Sequence, residues 1–410
     1  MSPAHRLARM SGRDPAEQHR TATPLELLFD LTFVVGFSAV STQAALLLEK
    51  GHWSAAVIGF GLGVFAISWA WVNYAWLASA YDNDDVFFRI ATLIEMIGVL
   101  VIALGMPAFF RSIDEGLHVD NAIMVSGYVI MRVAAVALWL RAARHDPEHR
   151  RACLAYAAAV SIAQVGWVLL IFASLPIGTT AWIIAALTAV ELAGPLLAER
   201  KDGGTPWHPH HIAERYSLLV IITLGEVILG TVLAISAVVD RSGWSAEVVL
   251  IASGGTALTF AMWWLYFTLP AGRVLGHHRR RAFGWSYGHI VVFAAVVGTG
   301  AGLHAAAEFI SGESHIGATA TVFTVALPVL VFELTLVTIY SFLLRTADRY
   351  HIWIFGAAAV VLGSAVVAVD LGASVGATLL LVAASPALIV VAYETVGYRH
   401  EEQALKQAEA

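Results

Sequence analysis

From Leu25 to Tyr398 the chain is a succession of apolar stretches of about 20 residues, separated by short polar or Gly/Pro-containing breaks. At about 1.5 Å of rise per residue, each is long enough as a helix to cross ~30 Å of hydrocarbon. Within lipid, backbone polar groups must find partners inside the segment itself, which makes runs of this length helices. Residues classed as hydrophobic make up 59% of the 410 and charged residues 13%, against about 25% charged in a soluble domain. The expected fold class is all-α, a polytopic transmembrane helical bundle, with no stretch left over for a soluble catalytic domain.

The breaks predict about twelve spans: 25–48, 54–80, 86–110, 120–141, 151–174, 178–198, 213–239, 245–270, 282–304, 316–344, 351–369 and 373–397. The first 24 residues carry Arg6, Arg9, Arg13 and Arg20 but no apolar run able to serve as a signal-peptide core, so the first span is expected to be uncleaved. Alternate loops hold nearly all the Lys and Arg, among them Arg141, Arg144, Arg200, Lys201, Arg273, Arg279, Arg280, Arg281 and Arg345. The opposite loops hold Lys50, Arg111 and Arg241. By the positive-inside rule both termini are expected in the cytoplasm. One cysteine, Cys153, excludes an internal disulfide framework.

The sequence also echoes itself. Gly51-His-Trp-Ser-Ala55 returns as Ser242-Gly-Trp-Ser-Ala246, and Trp139-Leu-Arg-Ala-Ala-Arg-His145 as Leu343-Leu-Arg-Thr-Ala-Asp-Arg349. Aromatic clusters follow the first pair at like distance: Trp69, Trp71, Tyr74 and Trp76, then Phe260, Trp263, Trp264, Tyr266 and Phe267. The expected organisation is an N-terminal arm at 1–24, a six-helix repeat at 25–198, a cytoplasmic linker at 199–212, a second six-helix repeat at 213–398 and a tail at 399–410. Six helices per repeat would make the two repeats parallel, related by an axis along the membrane normal.

Three segments, Glu26-Leu-Leu-Phe-Asp-Leu-Thr-Phe-Val34, Tyr81-Asp-Asn-Asp-Asp-Val-Phe-Phe-Arg89 and His211-Ile-Ala-Glu-Arg-Tyr-Ser-Leu-Leu-Val-Ile-Ile-Thr-Leu-Gly-Glu226, carry a resemblance to a known family. Together they resemble the bacterial low temperature requirement protein A family, LtrA, a set of multi-pass membrane proteins. Leu28 departs from the family pattern, where a second Phe is frequent, and so does Val227, where a small polar residue is common. The resemblance implies the fold and a bacterial inner-membrane location. It implies no substrate, because the family is named for a growth phenotype.

Ionisable groups inside spans are expensive and mark candidate sites. Glu26 and Asp30 are four residues apart and share a helix face, and Ser41 continues close to that line. The strip suits a lining that binds a cation or passes protons; the plainer alternatives are that Glu26 complements the helix dipole and Asp30 pairs with an arginine. His211, Glu214 and Arg215 fall within about one turn and are expected at the membrane boundary, with Arg215 snorkelling to water. Glu226 lies deeper, and its neighbour Gly225 leaves room for close helix packing or for a ligand. Glu95, Glu191, His289 and Glu333 are further deep groups. Arg132 is expected as the deep arginine, needing a carboxylate from Glu95, Glu191, Glu226 or Asp30.

In the turn Asp82-Asn-Asp-Asp85, Asp84 and Asp85 are expected to cap the following helix, with Arg89 pairing to Asp85 one turn on. A contact between this acidic turn and the basic loop His277-His-Arg-Arg-Arg281 would form a gate between halves. No His-x-x-x-His spacing lies in a span, and His304 with Glu308 is a weak pair, so neither a metal nor a cofactor is expected. The tryptophans read as interfacial belts and packing. The formal net charge of −6 and the scattered arginines point away from nucleic acid. The expected partners are the lipid bilayer and a small solute or ion, and an oligomer is compatible with the sequence.

These residues point first to a secondary transporter or permease for a small solute or ion, coupled to protons or sodium through Asp30, Glu226 and Glu95. A membrane-embedded enzyme acting on a lipid or isoprenoid is the alternative class, disfavoured because the chain lacks a paired metal-binding carboxylate motif, a nucleophile elbow or a phosphate loop. A sensor or stress-adaptation factor without turnover is the third.

Overall fold

The computed structural model describes residues 7–398 apart from 16, 18, 19, 117, 174, 202, 270 and 346–348. The expected tail at 399–410, the first six residues of the arm and the middle of the echo at 343–349 therefore lie outside the described residues. The described chain is helical: α1 Pro24–Glu49, α2 Trp53–Tyr81, α3 Val86–Glu115, α4 Ala122–His145, α5 Arg150–Ile171, α6 Ile177–Ala198, α7 Pro209–Ser242, α8 Ala246–Tyr266, α9 Ala271–His277, α10 Ala282–Ser311, α11 Ala318–Leu344, α12 Arg349–Asp370 and α13 Val375–Ala392. Among the described residues, twelve spans, counting Ala246–His277 as one, are long and apolar enough to cross a membrane. The chain is a multi-span membrane protein.

Local chemistry sets the helix ends. The Asp85 side chain accepts from the Phe88 N–H at 2.9 Å and starts α3. That helix runs past its expected end at 110 until Gly116 adopts φ 72°, a left-handed cap that a residue without Cβ takes at no steric cost. Pro107, Pro195, Pro328 and Pro386 sit inside helices, as spans packed against neighbours tolerate.

The chain divides into two compact units, residues 1–40 with 66–215 and residues 41–65 with 216–410. Residues 41–65 thus group with the second unit although they precede the expected linker at 199–212.

In the first unit, α3 and α4 approach closely through glycines. A Cβ on Gly98 would lie 2.7 Å from the Gly127 carbonyl, and one on Gly127 would lie 2.7 Å from the Ile102 nitrogen. The arm is woven into the same unit: Arg13 N–H donates to the Ala80 carbonyl at 3.0 Å, Met10 N–H to His145 Nδ1 at 3.1 Å and Ala8 N–H to Asp85 at 2.9 Å. Met10 is fully buried as a result.

The second unit packs through small residues and rings. A Cβ on Gly300 would lie 2.8 Å from both the Cβ and the carbonyl oxygen of Glu226, so α10 and α7 touch backbone to backbone there. Tyr216 packs on Trp285 at 4.6 Å between centroids, and His289 joins them while receiving the Tyr266 hydroxyl at 3.0 Å. An apolar cavity of about 360 Å³ lies between Ala44, Trp53, Phe60, Ala295, Phe323 and Pro328.

Candidate functional site

Two pairs of side chains at i, i+4 spacing meet in the first unit. Glu26 and Asp30 lie on one face of α1, and His211 and Arg215 lie on one face of α7. Arg215 donates from Nη1 to Glu26 Oε1 at 2.7 Å and from Nε to Asp30 Oδ2 at 3.1 Å, and its Nη2 bonds Asp30 Oδ1. The guanidinium thus grips Asp30 with a two-point fork and Glu26 end-on. His211 Nε2 lies 3.2 Å from Glu26 Oε2, which also accepts the Thr23 N–H at 2.8 Å. Trp71 donates its indole N–H to Asp30 Oδ1 at 2.6 Å. The guanidinium also sits 5.6 Å from the Trp71 ring and 5.7 Å from the Tyr74 ring, within cation–π range.

All four charged or chargeable side chains have no solvent exposure. Arg215 therefore does not snorkel to water, and Arg132 is not the only buried arginine. Both helix starts are covered by folded chain. Arg20 reaches the Ala78 carbonyl at 2.8 Å, and His208 joins Ser79 at 3.1 Å, the Glu17 carbonyl at 2.8 Å and the His211 N–H at 3.2 Å. Burial, then the Arg13 charge, lowers Arg20 below the usual guanidinium range. Beside it, burial and then the Glu26 charge push the Asp82 carboxyl up to about 6.

A second buried ion pair lies in the same unit. Arg132 donates from Nη2 to Glu191 Oε2 at 3.0 Å and from Nη1 to Asn73 Oδ1 at 3.3 Å, with the Tyr128 ring 5.4 Å from its charge. Trp69 donates its indole N–H to the same Glu191 oxygen at 2.8 Å. Of the four carboxylates expected for Arg132, Glu191 takes it.

Other residues fall elsewhere. Glu214 is half-buried beside Arg215. Ser41 is buried in the second unit, with no hydrogen-bond partner at its Oγ. A Cβ on Gly225 would meet nothing within 4 Å, so Gly225 is not the close-packing glycine of α7; Gly300 supplies that contact from the opposing helix, against Glu226. Arg89 pairs with Asp84, at 2.7 and 2.8 Å, and not with Asp85. Asp84 does not cap α3. Asp85 caps it alone and is held by Arg141, whose Nη1 donates at 3.0 Å. Burial works against the Asp85 charge, but the bonds from Arg141, Phe88 N–H and Ala8 N–H outweigh it and bring the carboxyl down to about 2. Arginines of the same unit thus engage both acids of the expected gate.

Sequence reasoning missed Trp69 and Trp71, read there as belt or packing residues, and Asn73, which it does not single out. The available signal was that a buried indole N–H needs an acceptor, in a helix whose neighbours carry acids.

The family model for the bacterial low temperature requirement A protein, LtrA, matches residues 21–386. The chain belongs to this family. It is 26% identical over 307 residues to an uncharacterised protein of Rhizobium meliloti strain 1021, covering 71% of this chain and 70% of that one. No solved structure matches it.

Proposed function

We propose that the protein is a secondary transporter or permease of the bacterial inner membrane, with both termini cytoplasmic, moving a small solute or ion with protons. The observation that carries this reading is a charge count. Glu26 and Asp30 supply two negative charges against the single positive charge of Arg215, all fully buried. One further positive charge balances the cluster, and His211 is in place to supply it. Its Nε2 faces Glu26 while its Nδ1 has no hydrogen-bond partner, so a proton taken up at Nδ1 neutralises the group. Loading and unloading that proton changes the buried charge by one, which gives the loaded and empty carrier different costs of crossing low dielectric.

Protons fit better than sodium. Each of the four carboxylate oxygens of Glu26 and Asp30 already accepts at least one N–H, from Arg215, Trp71, Thr23 or His211, whereas a hard cation needs oxygens free of donors. Purified protein in proteoliposomes, given a pH or sodium gradient and a panel of small solutes and ions, tests the reading. Wild type is expected to move at least one of them with the pH gradient. Asp30→Asn and His211→Gln, both still folded, are expected to abolish that flux. A wild type inert across the whole panel overturns the proposal.

A further inference from the structure

Glu95 stands outside both ion pairs. It is 2% exposed, and its Oε1 has no hydrogen-bond partner. The contacts of α3 with α4 give its surroundings. Gly98 faces Met131, Ile102 faces Gly127 and Gly105 faces Met124, so the two helices run antiparallel in tight register. One turn back from Gly98, this register sets Glu95 beside the turn of α4 that carries Arg132, the charge that acts on it. The other groups that bear on this region are Tyr128 on α4, Glu191 on α6 and Tyr74 on α2, whose hydroxyl lies 3.1 Å from Thr92 on α3.

The composition repeats that of the first cluster. Two acids, Glu95 and Glu191, lie near one arginine, which Glu191 alone holds, and an α2 indole donates to Glu191. Trp69 and Trp71 are about 200° apart around α2, so the two clusters flank opposite faces of one helix. Arg132 is already taken by Glu191. Ionised, Glu95 would be a carboxylate without a donor at Oε1, an arrangement that buried sites avoid by neutralising the group.

We propose that Glu95 is a second proton-carrying site, neutral while Arg132 is held by Glu191 and, once ionised, taking Arg132 from Glu191. The proton leaves the carboxylic O–H for water, and the vacated oxygen accepts an Arg132 N–H. Glu191 keeps the Trp69 N–H throughout. The role of this proton in a transport cycle rests on the reading above, but the existence of the site does not.

Infrared difference spectroscopy of the protein in nanodiscs, with pH as the variable, tests the site directly. Wild type is expected to show the C=O stretch of a buried carboxylic acid, shifted in D₂O and lost as pH rises. Glu95→Gln is expected to lose that band, and Glu333→Gln to keep it. Glu95→Asp should move the band without removing it, which covers the case in which Glu95→Gln does not fold. An acid band unchanged in both Glu95 variants overturns the proposal and leaves Glu95 as an ionised structural partner. A Glu95 band in a protein that moves nothing across the solute panel sinks the transport reading and leaves the site standing.

Discussion

The two units bury their helices by different means. In the first, α1, α2 and α7 are joined by Arg215, Glu26, Asp30 and Trp71, while α4, α6 and α2 are joined by Arg132, Glu191 and Trp69. In the second, α7 and α10 meet through Gly300 against the Glu226 backbone, and Tyr216, Trp285 and His289 stack beside them. Close packing of small residues holds helices together in lipid without any charge. The buried arginine–carboxylate pairs described above all lie in the first unit, whereas the buried acids of the second, Glu226 and Glu333, lie on helices that pack through small residues and rings.

The contrast predicts where the molecule breaks. The largest effect is expected from Arg215→Met, which strips two buried carboxylates of their arginine. Removing one partner of a buried pair costs about 3–5 kcal/mol, and loss of the folded protein in detergent, followed by size-exclusion chromatography, is the expected outcome. A monodisperse variant melting like wild type would show that the cluster does not hold the first unit together.

Gly300→Val in the second unit comes next. Its side chain meets the Glu226 backbone, and overpacking of this kind costs about 1–3 kcal/mol. A lowered thermal midpoint is expected, with no change in the pH dependence of stability, since no charge is added or removed. A shifted pH profile would mean that the two units do not separate packing from charge.

The smallest effect is expected at the turn between α2 and α3, and its sign depends on pH. Asp82 titrates near 6 in the folded protein and near ~4 unfolded. Its contribution is therefore full below about pH 4 and lost as pH rises through about 6. Asp85 has the opposite sign: held at about 2, it stabilises above ~4, and the gain is lost as pH falls towards 2. Melting curves of Asp82→Asn are expected to lie above wild type at neutral pH and to converge with it in acid. Those of Asp85→Asn are expected to lie below wild type at neutral pH. Curves independent of pH for both variants would contradict these assignments.

Much of the fold was legible in the sequence, because a span declares itself by length and apolarity alone: twelve expected spans match twelve helices to within a few residues at most ends. The candidate site was legible only in part. Glu26, Asp30, His211 and Arg215 stand out as charges within apolar runs, but their pairing joins residues 185 to 189 apart in the chain, and no local spacing encodes that. Arg215 was placed at the water boundary because helix position suggests depth. It is instead enclosed by Glu26 and Asp30 of α1 and the rings of Trp71 and Tyr74 on α2, residues far from it in the chain. Gly225 drew attention by adjacency to Glu226, whereas the glycine in contact, Gly300, lies on another helix.

The central claim is that the Glu26–Asp30–Arg215 cluster is there to carry charge and not merely to join helices. Replacing a whole buried ionic group by well-packed apolar residues of like volume is often neutral or stabilising, so the triple variant Glu26→Met, Asp30→Leu, Arg215→Met separates the two roles. Its pH-gradient-driven flux in proteoliposomes, compared with wild type for the same solute, is the deciding measurement. The account predicts a folded protein with that flux abolished, and a folded triple variant that transports like wild type would contradict it.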